Sequence, residues 1–375
     1  ELVDKKNALV SSLILSTTFL WINYYHLATQ DIIYGSLVTL GIYSSIKAKK
    51  NNNNLFFLFS GLWIGLSFMM KTFLVAIPLL AILPFFKSSK ILFKKYFWLG
   101  LILGFIPFLI WSLNIISLYG FEIYNGLFEK LLTLSEKNTF SNPFYYYAWN
   151  LISNGLPWSL FSLIGFLSLY KSSNKLSNYF LFRYPIILMI LLSIFSTKTP
   201  YYPIQLLPVI SINSFLGIDY IFRKNNIFSK KAKKLFFLIF PLCLILIIAF
   251  LKYKNYFNAI NESTQILITI VMLIFSFALI LINKIKTYNK KIILILIGPY
   301  LLFCVLVQSG IFCDRSKEMR IAAEEIIARE FLNDKKVEFI TKNASGENAT
   351  TKLIKIAIFM PKIGKGIEKI DELKE

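Results

Sequence analysis

Long apolar runs alternate with short polar connections along most of the chain. The runs lie at 8–27, 32–46, 55–70, 72–86, 96–118, 144–169, 179–197, 201–222, 235–251, 266–283 and 292–309. A helix needs about 20 apolar residues to cross the hydrocarbon core of a bilayer, and most of the runs come close to that length. The runs at 32–46, 55–70 and 72–86 are shorter, so we expect tilted, broken or extended helices there. The pattern predicts an all-α polytopic membrane protein with about eleven transmembrane helices.

The pattern changes after residue 310, where charged residues become frequent. Apolar positions spaced as in an amphipathic helix predict a helix over 314–331, and alternating positions predict strands at 336–341 and 352–360. We therefore predict two domains. Residues 1–310 form the multi-span transmembrane part, and residues 311–375 form a small extracytoplasmic α/β domain that stops without an obvious end.

Composition excludes several classes of protein. Hydrophobic residues make up 56% of the chain and charged residues only 16%, a balance that excludes a soluble enzyme or a disordered chain. The net charge of +21 comes from small clusters between apolar runs, which does not suit a nucleic-acid groove. With three cysteines and one histidine, neither a Cys/His metal site nor a disulfide framework is expected.

Alternate connections between the apolar runs are rich in lysine and arginine. The basic ones lie near residues 5–6, 47–50, 87–95, 171–175, 223–234 and 284–291, and the connections between them carry little net positive charge. Because basic loops stay on the cytoplasmic side, the other connections and the C-terminal tail are predicted to face outward. The excess of Lys, Asn, Ile and Phe suggests a bacterium, and hence the inner (plasma) membrane.

A few polar residues stand out on the predicted outer face, where charge at membrane depth is costly. Asp31 is the only acid between Asp4 and Glu122. It is either a carboxylate that favours the start of a helix or part of a site. Lys71 has no charged neighbour from Lys50 to Lys87, and its ammonium either snorkels to water or binds an anion such as a lipid phosphate.

Another outer segment, residues 196–208, places Lys198 before the paired tyrosines Tyr201 and Tyr202. A point charge and hydroxyl donors suit a phosphodiester, although a reverse turn with aromatic anchors is the simpler interpretation.

The outer loop at 119–143 is predicted to form an interfacial amphipathic helix. His26 is interpreted as an interfacial polar residue. Glycines at 61 and 65, and at 100 and 104, have the spacing of closely packed membrane helices.

Taken in order, these segments resemble the polyprenyl-phosphate-sugar-dependent glycosyltransferases of the GT-C type. The most similar families are the lipid A aminoarabinose transferases and the dolichyl-phosphate-mannose protein mannosyltransferases. The resemblance covers about residues 8–220. Its motifs are Thr29-Gln30-Asp31, the Gly65–Lys71 segment, residues 142–147 followed by Leu156-Pro157-Trp158, and Lys198-Thr199-Pro200-Tyr201-Tyr202 with Leu207-Pro208.

The resemblance implies an enzyme that moves a sugar from a polyprenyl-phosphate donor to a lipid, glycan or protein acceptor on the extracytoplasmic side. It implies that Lys71, Lys198, Tyr201 and Tyr202 hold the donor phosphate. Asp31 is an accessory carboxylate, and a divalent metal often assists. The resemblance implies that the principal carboxylate lies in an N-terminal loop that is expected to be missing here, so the catalytic residues stay unassigned and this chain alone is expected to be inactive.

One departure from the family pattern follows directly after Lys71. Thr72-Phe73 stands where the family usually has Gly-Pro. Two other functions stay open. A multi-span transporter or lipid flippase would be indicated by ionisable residues deep inside spans and by internal repeats, neither of which the sequence shows. A non-catalytic membrane subunit would be separated from an enzyme by the sequence upstream of Glu1.

Overall fold

The computed structural model describes residues 2–25, 27, 29–122, 124–125, 141–170, 174–224, 227–253, 262–310, 317–329, 335–340 and 356–367. The chain divides into two compact units, Glu1–Phe303 and Cys304–Glu375. This division falls within the last long helix, whereas the sequence placed the domain boundary at residue 310.

The first part of the large unit is a series of helices joined by short turns. The α-helices are α1 (Lys5–Ser16), α2 (Phe19–Tyr25), α3 (Gln30–Asn51), α4 (Asn54–Lys71), α5 (Ala76–Ser88) and α6 (Lys95–Tyr119). Short 3₁₀ turns at Thr72–Val75 and Ile91–Phe93 flank α5. Asn53 caps α4, since its side chain accepts a hydrogen bond from the Leu55 amide.

The second part continues with α7 (Tyr146–Asn154), α8 (Trp158–Leu169), α9 (Lys175–Asn178), α10 (Tyr184–Ile194), α11 (Leu207–Arg223), α12 (Ile227–Lys234), α13 (Phe240–Tyr253), α14 (Glu262–Leu281) and α15 (Tyr288–Gln308). One π-helical turn, Tyr179–Arg183, joins α9 to α10, and another, Leu235–Ile239, joins α12 to α13. A 3₁₀ turn at Tyr202–Leu206 leads directly into α11, and a further one at Ile282–Lys284 follows α14.

The described residues contain seven helical segments that are long and apolar enough to cross a membrane, or up to nine if each of two bent pairs is one span. The bent pairs are α1 with α2, at 67°, and α7 with α8, at 119°. The predicted count of eleven is not confirmed. The runs at 55–70 and 72–86 form one segment, Asn54–Ser88. Helix α3 is long enough to cross a membrane, but Asp31, Lys47 and several serines lower its mean hydropathy.

Glycines bring two pairs of helices into backbone contact. On α4, Gly61 and Gly65 lie against Gly100 and Gly104 of α6, where an added methyl group would clash with main-chain atoms. The sequence predicted this contact from the spacing of the four glycines. Gly165 of α8 and Gly217 of α11 make the same kind of contact, which the sequence analysis missed because each helix supplies one glycine.

Two apolar clusters form the core of the large unit. The first joins α3, α4 and α5 to α10 and the start of α11, with Trp63, Phe86, Phe180 and Tyr184 among its buried side chains. The second joins α1 and α8 to α11 and the later helices around Trp158. The first cluster includes Tyr34, Ile77, Leu192 and Ile204, which also line the candidate site described below.

The small unit contains α16 (Lys317–Arg329) and two strands, β1 (Val337–Ile340) and β2 (Ile363–Ile367). The strands pair in parallel, with Val337 opposite Ile363. The helix and the first strand lie where the sequence predicted them. The second strand was predicted at 352–360, but residues 356–359 are helical and the strand begins after Pro361. A short alternation of apolar residues does not by itself distinguish a strand from one helical turn.

Candidate functional site

Asp31 and Lys71 form a buried ion pair. The connection between α3 and α4 is short, so the two helices are antiparallel neighbours and the start of α3 lies beside the end of α4. Asp31 is in the first turn of α3 and Lys71 is the last residue of α4, the helix ends that favour an anion and a cation respectively. Lys71 Nζ lies 2.6 Å from Asp31 Oδ1, and each side chain is 10% exposed.

The backbone turns sharply directly after Lys71. Thr72 has φ 47° and ψ −124°, a conformation that glycine adopts easily and a β-branched residue adopts rarely. Such a residue costs about 1–3 kcal/mol and persists only where the surrounding structure enforces it. This is the position at which the resembled families usually have glycine. The strained turn ends α4 at Lys71 and thereby fixes the backbone position from which the Lys71 side chain extends.

Tyrosines from the 196–208 segment cover the lysine. Lys71 Nζ lies 5.4 Å from the centroid of the Tyr201 ring, within range of a cation–π contact. The Tyr201 ring also packs against Tyr24 and edge-on against Tyr202, with centroid distances of 5.4 Å and 5.3 Å. The ammonium of Lys71 therefore lies between a carboxylate and an aromatic face.

A glycine on α3 allows the tyrosine-bearing turn to approach. Gly35 lies one helical turn beyond Asp31, and a methyl group added there would come within 3.0 Å of the Ile204 side chain and 3.5 Å of the Gln205 backbone. The 3₁₀ turn at Tyr202–Leu206 can therefore lie against the same face of α3 that carries Asp31. Tyr34, next to Gly35, donates a 3.2 Å hydrogen bond to the carbonyl of Leu74.

These groups surround a small cavity of about 20 Å³, called the polar cavity because six of its ten lining residues have polar side chains. Its lining consists of Asp31, Tyr34, Lys71, Leu74, Ile77, Leu192, Tyr201, Tyr202, Ile204 and Gln205. A larger cavity of about 430 Å³, lined mainly by apolar parts of α1, α3 and α11, shares Gln205 with it. A third, of about 230 Å³, is lined by apolar side chains and shares Leu74 and Ile77. The polar cavity thus shares lining residues with two apolar cavities.

Lys198 is in the same segment as the tyrosines but is not among the residues that line the polar cavity. The residue is 4% exposed, and its Nζ donates hydrogen bonds to the carbonyls of Asn142, at 2.9 Å, and Phe195, at 2.6 Å. The Asn142 side chain donates in return to the Lys198 carbonyl, at 3.1 Å. Burial lowers the pKa of the Lys198 ammonium below its usual value. Lys198 therefore ties residues 141–143 to the turn before Tyr201.

The structure brings together four of the predicted site residues, Asp31, Lys71, Tyr201 and Tyr202, around one cavity. The predicted contact of Lys198 with a phosphate stays a prediction, and two of its donors are already used by carbonyls. His26 and residues 126–140 of the predicted outer helix lie outside the described residues. The sequence analysis missed Tyr34 and Gln205 as lining residues. Tyr34 follows Asp31 by three residues and Gln205 follows Tyr201 by four, so the spacing of residues on one helical face was the available signal.

A divalent metal was implied by the resemblance. In the part of the chain that the structure describes, no three His, Cys, Asp or Glu side chains lie close enough together to hold a metal ion. Asp31 is the one carboxylate among the residues that line the polar cavity, and it is already paired with Lys71. These residues do not fit a metal centre by themselves, because hard cations require several oxygen ligands.

Comparison with known proteins supports the resemblance in two ways. Residues 1–111 match a family model described as dolichyl-phosphate-mannose-protein mannosyltransferase. The match includes Asp31 and Lys71 and ends before the segment with Lys198, Tyr201 and Tyr202. Among curated proteins, none matches the sequence.

Two solved structures share the fold. One is ArnT from Cupriavidus metallidurans bound to undecaprenyl phosphate, with a TM-score of 0.66 at 10% identity, covering 96% of this chain and 74% of that one. The other is the same protein in the apo state, with a TM-score of 0.59 at 12% identity, covering 96% and 71%. The fold is therefore that of a polytopic helical membrane protein similar to ArnT, as the motifs predicted. At this level of identity the likeness concerns the fold alone.

Proposed function

We propose that the protein is a membrane glycosyltransferase that takes a sugar from a polyprenyl-phosphate donor. The observation that carries the proposal is the position of Lys71, a largely buried cation that lines a small cavity, and this cavity shares lining residues with two larger apolar cavities. A lipid phosphate requires this combination, since its headgroup needs a positive charge and its chain needs an apolar surface.

In this proposal Lys71 binds the donor phosphate, and the Tyr201 and Tyr202 hydroxyls are the hydrogen-bond donors beside it. The large cavity that shares Gln205 extends from the start of α1 past Thr39 and Ile46 of α3, and suits an isoprenoid chain. The match of residues 1–111 to a family whose name includes a polyprenyl-phosphate sugar supports the same donor class. The fold of ArnT, seen with undecaprenyl phosphate, supports it independently.

The proposed reaction is a displacement at the anomeric carbon of the sugar. An acceptor oxygen forms the new glycosidic bond, and the bond from the anomeric carbon to the phosphate oxygen breaks with its electron pair remaining on the phosphate. Lys71 stabilises the charge that develops on the departing lipid phosphate. A base takes the proton of the acceptor hydroxyl, and we assign that role to no residue of this chain.

We further propose that the site faces the extracytoplasmic side of a bacterial inner membrane. The basic connections near Lys47–Lys50 and Lys87–Lys95 lie at the ends of α3 and α5 remote from Asp31 and Lys71. The positive-inside rule then puts the ion pair on the opposite side from the cytoplasm. The sugar can be a hexose or a pentose, and the acceptor a lipid, glycan or protein.

The experiment is a binding assay on the full chain in lipid nanodiscs, with undecaprenyl phosphate as the probe. Lys71→Gln is expected to weaken binding at least tenfold, because the cation that faces the phosphate is lost. The matched control is Lys49→Gln. Lys49 also lies over an aromatic ring, 5.2 Å from the centroid of Phe85, but near the other end of α3. Equal binding by both variants would contradict the proposal.

Lys198→Gln separates two roles for that residue. If Lys198 only ties the turn to Asn142 and Phe195, the substitution should weaken lipid-phosphate binding less than Lys71→Gln does. A loss equal to that of Lys71→Gln, with the thermal unfolding temperature unchanged, would support direct contact between Lys198 and the phosphate.

A further inference from the structure

We infer that Asp31 is an internal counter-anion that competes with the donor phosphate for Lys71, so that the phosphate binds by displacing the carboxylate. The inference rests on the proposed function. It adds to that function a means of controlling the affinity of the same site, and it gives Asp31 a role other than metal binding.

Charge balance at the cavity is the first argument. Asp31 and Lys71 are the two charged residues among those that line it, so their charges cancel. The 2.6 Å separation is that of a direct, charge-assisted hydrogen bond. Both side chains are largely removed from water, where a pair is much more stable than either charge alone. An incoming phosphate must therefore replace the carboxylate as the partner of the ammonium.

Space at the cavity is the second argument. A volume of about 20 Å³ accommodates about one water molecule. The Tyr201 ring covers Lys71 on one side, and the 3₁₀ turn with Gln205 lies against α3 on another. A phosphate group with its oxygens is larger than a water molecule, so it cannot simply be added beside an intact pair. The Asp31 side chain must move aside when the phosphate reaches the ammonium.

The start of α3 can accept the displaced carboxylate. Thr29 precedes the helix but makes no side-chain capping hydrogen bond to it. Asp31 in the first turn is near the amide groups that an uncapped helix leaves without helical partners, and the helix dipole favours an anion there. The carboxylate therefore has a second favourable environment, and the exchange does not leave a bare buried charge.

The inference predicts an unusual sign. Asp31→Asn removes the competing anion and leaves Lys71 available, so undecaprenyl phosphate should bind about tenfold more tightly than to the wild type. A carboxylate that held a metal ion for the phosphate would give the opposite result, weaker binding. Transfer can still fall in this variant, because tighter binding of the product lipid phosphate slows its release.

The test measures the affinity of undecaprenyl phosphate for the full chain in phosphatidylcholine nanodiscs. Asp31→Asn is compared with the wild type and with Asp219→Asn, which removes the acid of an ion pair elsewhere in the chain and should leave the affinity unchanged. Asp31→Glu keeps the charge and should remain nearer to the wild type than to Asp31→Asn. Thermal unfolding of each variant checks that it is folded.

Combination with Lys71→Gln distinguishes the possible outcomes. The double variant Asp31→Asn/Lys71→Gln should bind as weakly as Lys71→Gln, since Asp31 acts through the lysine. If Lys71→Gln binds normally, the proposed function fails. If Lys71→Gln weakens binding but Asp31→Asn leaves it unchanged or weakens it, the inference is overturned and the proposed function stands.

Discussion

Two ion pairs of this protein have the same length but opposite surroundings. Asp31 with Lys71 and Asp219 with Arg223 each have a nitrogen–oxygen distance of 2.6 Å. The first pair joins two helices and has both side chains 10% exposed. The second lies within α11, one helical turn apart, with Arg223 64% and Asp219 25% exposed.

The difference between the pairs lies in the other partners of each charge. Asp219 also accepts a 2.6 Å hydrogen bond from the Tyr288 hydroxyl, and the Arg223 guanidinium lies 5.1 Å from the Tyr288 ring centroid. Water and these contacts can support either residue without the other. Asp31 and Lys71 border a cavity with room for about one water, so each depends on its partner. The distance alone therefore does not distinguish a structural pair from a functional one.

The largest effect should come from breaking the buried pair. Lys71→Gln leaves the Asp31 carboxylate buried without a counter-charge, which should lower the free energy of unfolding by about 3 kcal/mol or more. Arg223→Gln should cost less than about 1 kcal/mol, because that pair is exposed and Tyr288 still binds Asp219. Chemical denaturation of both variants in the same detergent measures the difference.

A second substitution removes the unpaired charge that Lys71→Gln leaves at the buried site. Asp31→Asn added to Lys71→Gln removes the unpaired anion and should recover much of the lost stability without recovering the binding of undecaprenyl phosphate. Equal destabilisation by Lys71→Gln and Arg223→Gln would show that burial does not separate the two pairs.

A smaller effect is expected from moving the helix that carries Lys71. Gly65 of α4 contacts the backbone of Gly104 and Phe105, so Gly65→Ala should force α4 away from α6 and destabilise the protein by about 1–3 kcal/mol. The pair of Asp31 and Lys71 should be disturbed with it, whereas the pair in α11 should not. Weaker binding of undecaprenyl phosphate by Gly65→Ala is the readout, and unchanged binding and stability would contradict the close contact.

The smallest effect concerns the strained turn beside the buried pair. Thr72→Gly should raise the free energy of unfolding by about 1 kcal/mol, since glycine adopts a φ of 47° without steric cost. Because glycine keeps the turn, binding of the lipid phosphate should be retained. A matched change, Thr39→Gly, replaces a threonine in the interior of α3 and should instead destabilise by a few tenths of a kcal/mol, about the difference between the helix propensities of threonine and glycine. A loss of stability in Thr72→Gly would show that the turn is not strained.

The sequence predicted the helical membrane fold well because apolar length reports depth in a bilayer. The contact of α4 with α6 was also readable, since four glycines repeat at the spacing of one helical face. The number of spans could not be predicted, because an apolar run in the sequence does not show where a helix bends. The bends between α1 and α2 and between α7 and α8 depend on tertiary packing, and the break after Lys71 depends on a single backbone conformation.

The candidate site was predictable in four of its members, Asp31, Lys71, Tyr201 and Tyr202, but not in its contacts. Asp31 and Lys71 were recognised as isolated charges in apolar surroundings, which is a property of each residue alone. Their direct contact required knowing that α3 and α4 form a hairpin. The direction of the Lys198 side chain was not readable at all, because the carbonyls of Asn142 and Phe195 compete with any external anion for its donors.

The four glycines between α4 and α6 also determine which part of the site can open. Main-chain atoms meet there without intervening side chains, so no rotamer change can widen that contact. Other walls of the cavity come from the 3₁₀ turn at Tyr202–Leu206, which lies against α3 at Gly35, and from Leu74, Ile77 and Leu192. Entry of a bulky headgroup is therefore expected to move side chains of these walls rather than the contact between α4 and α6.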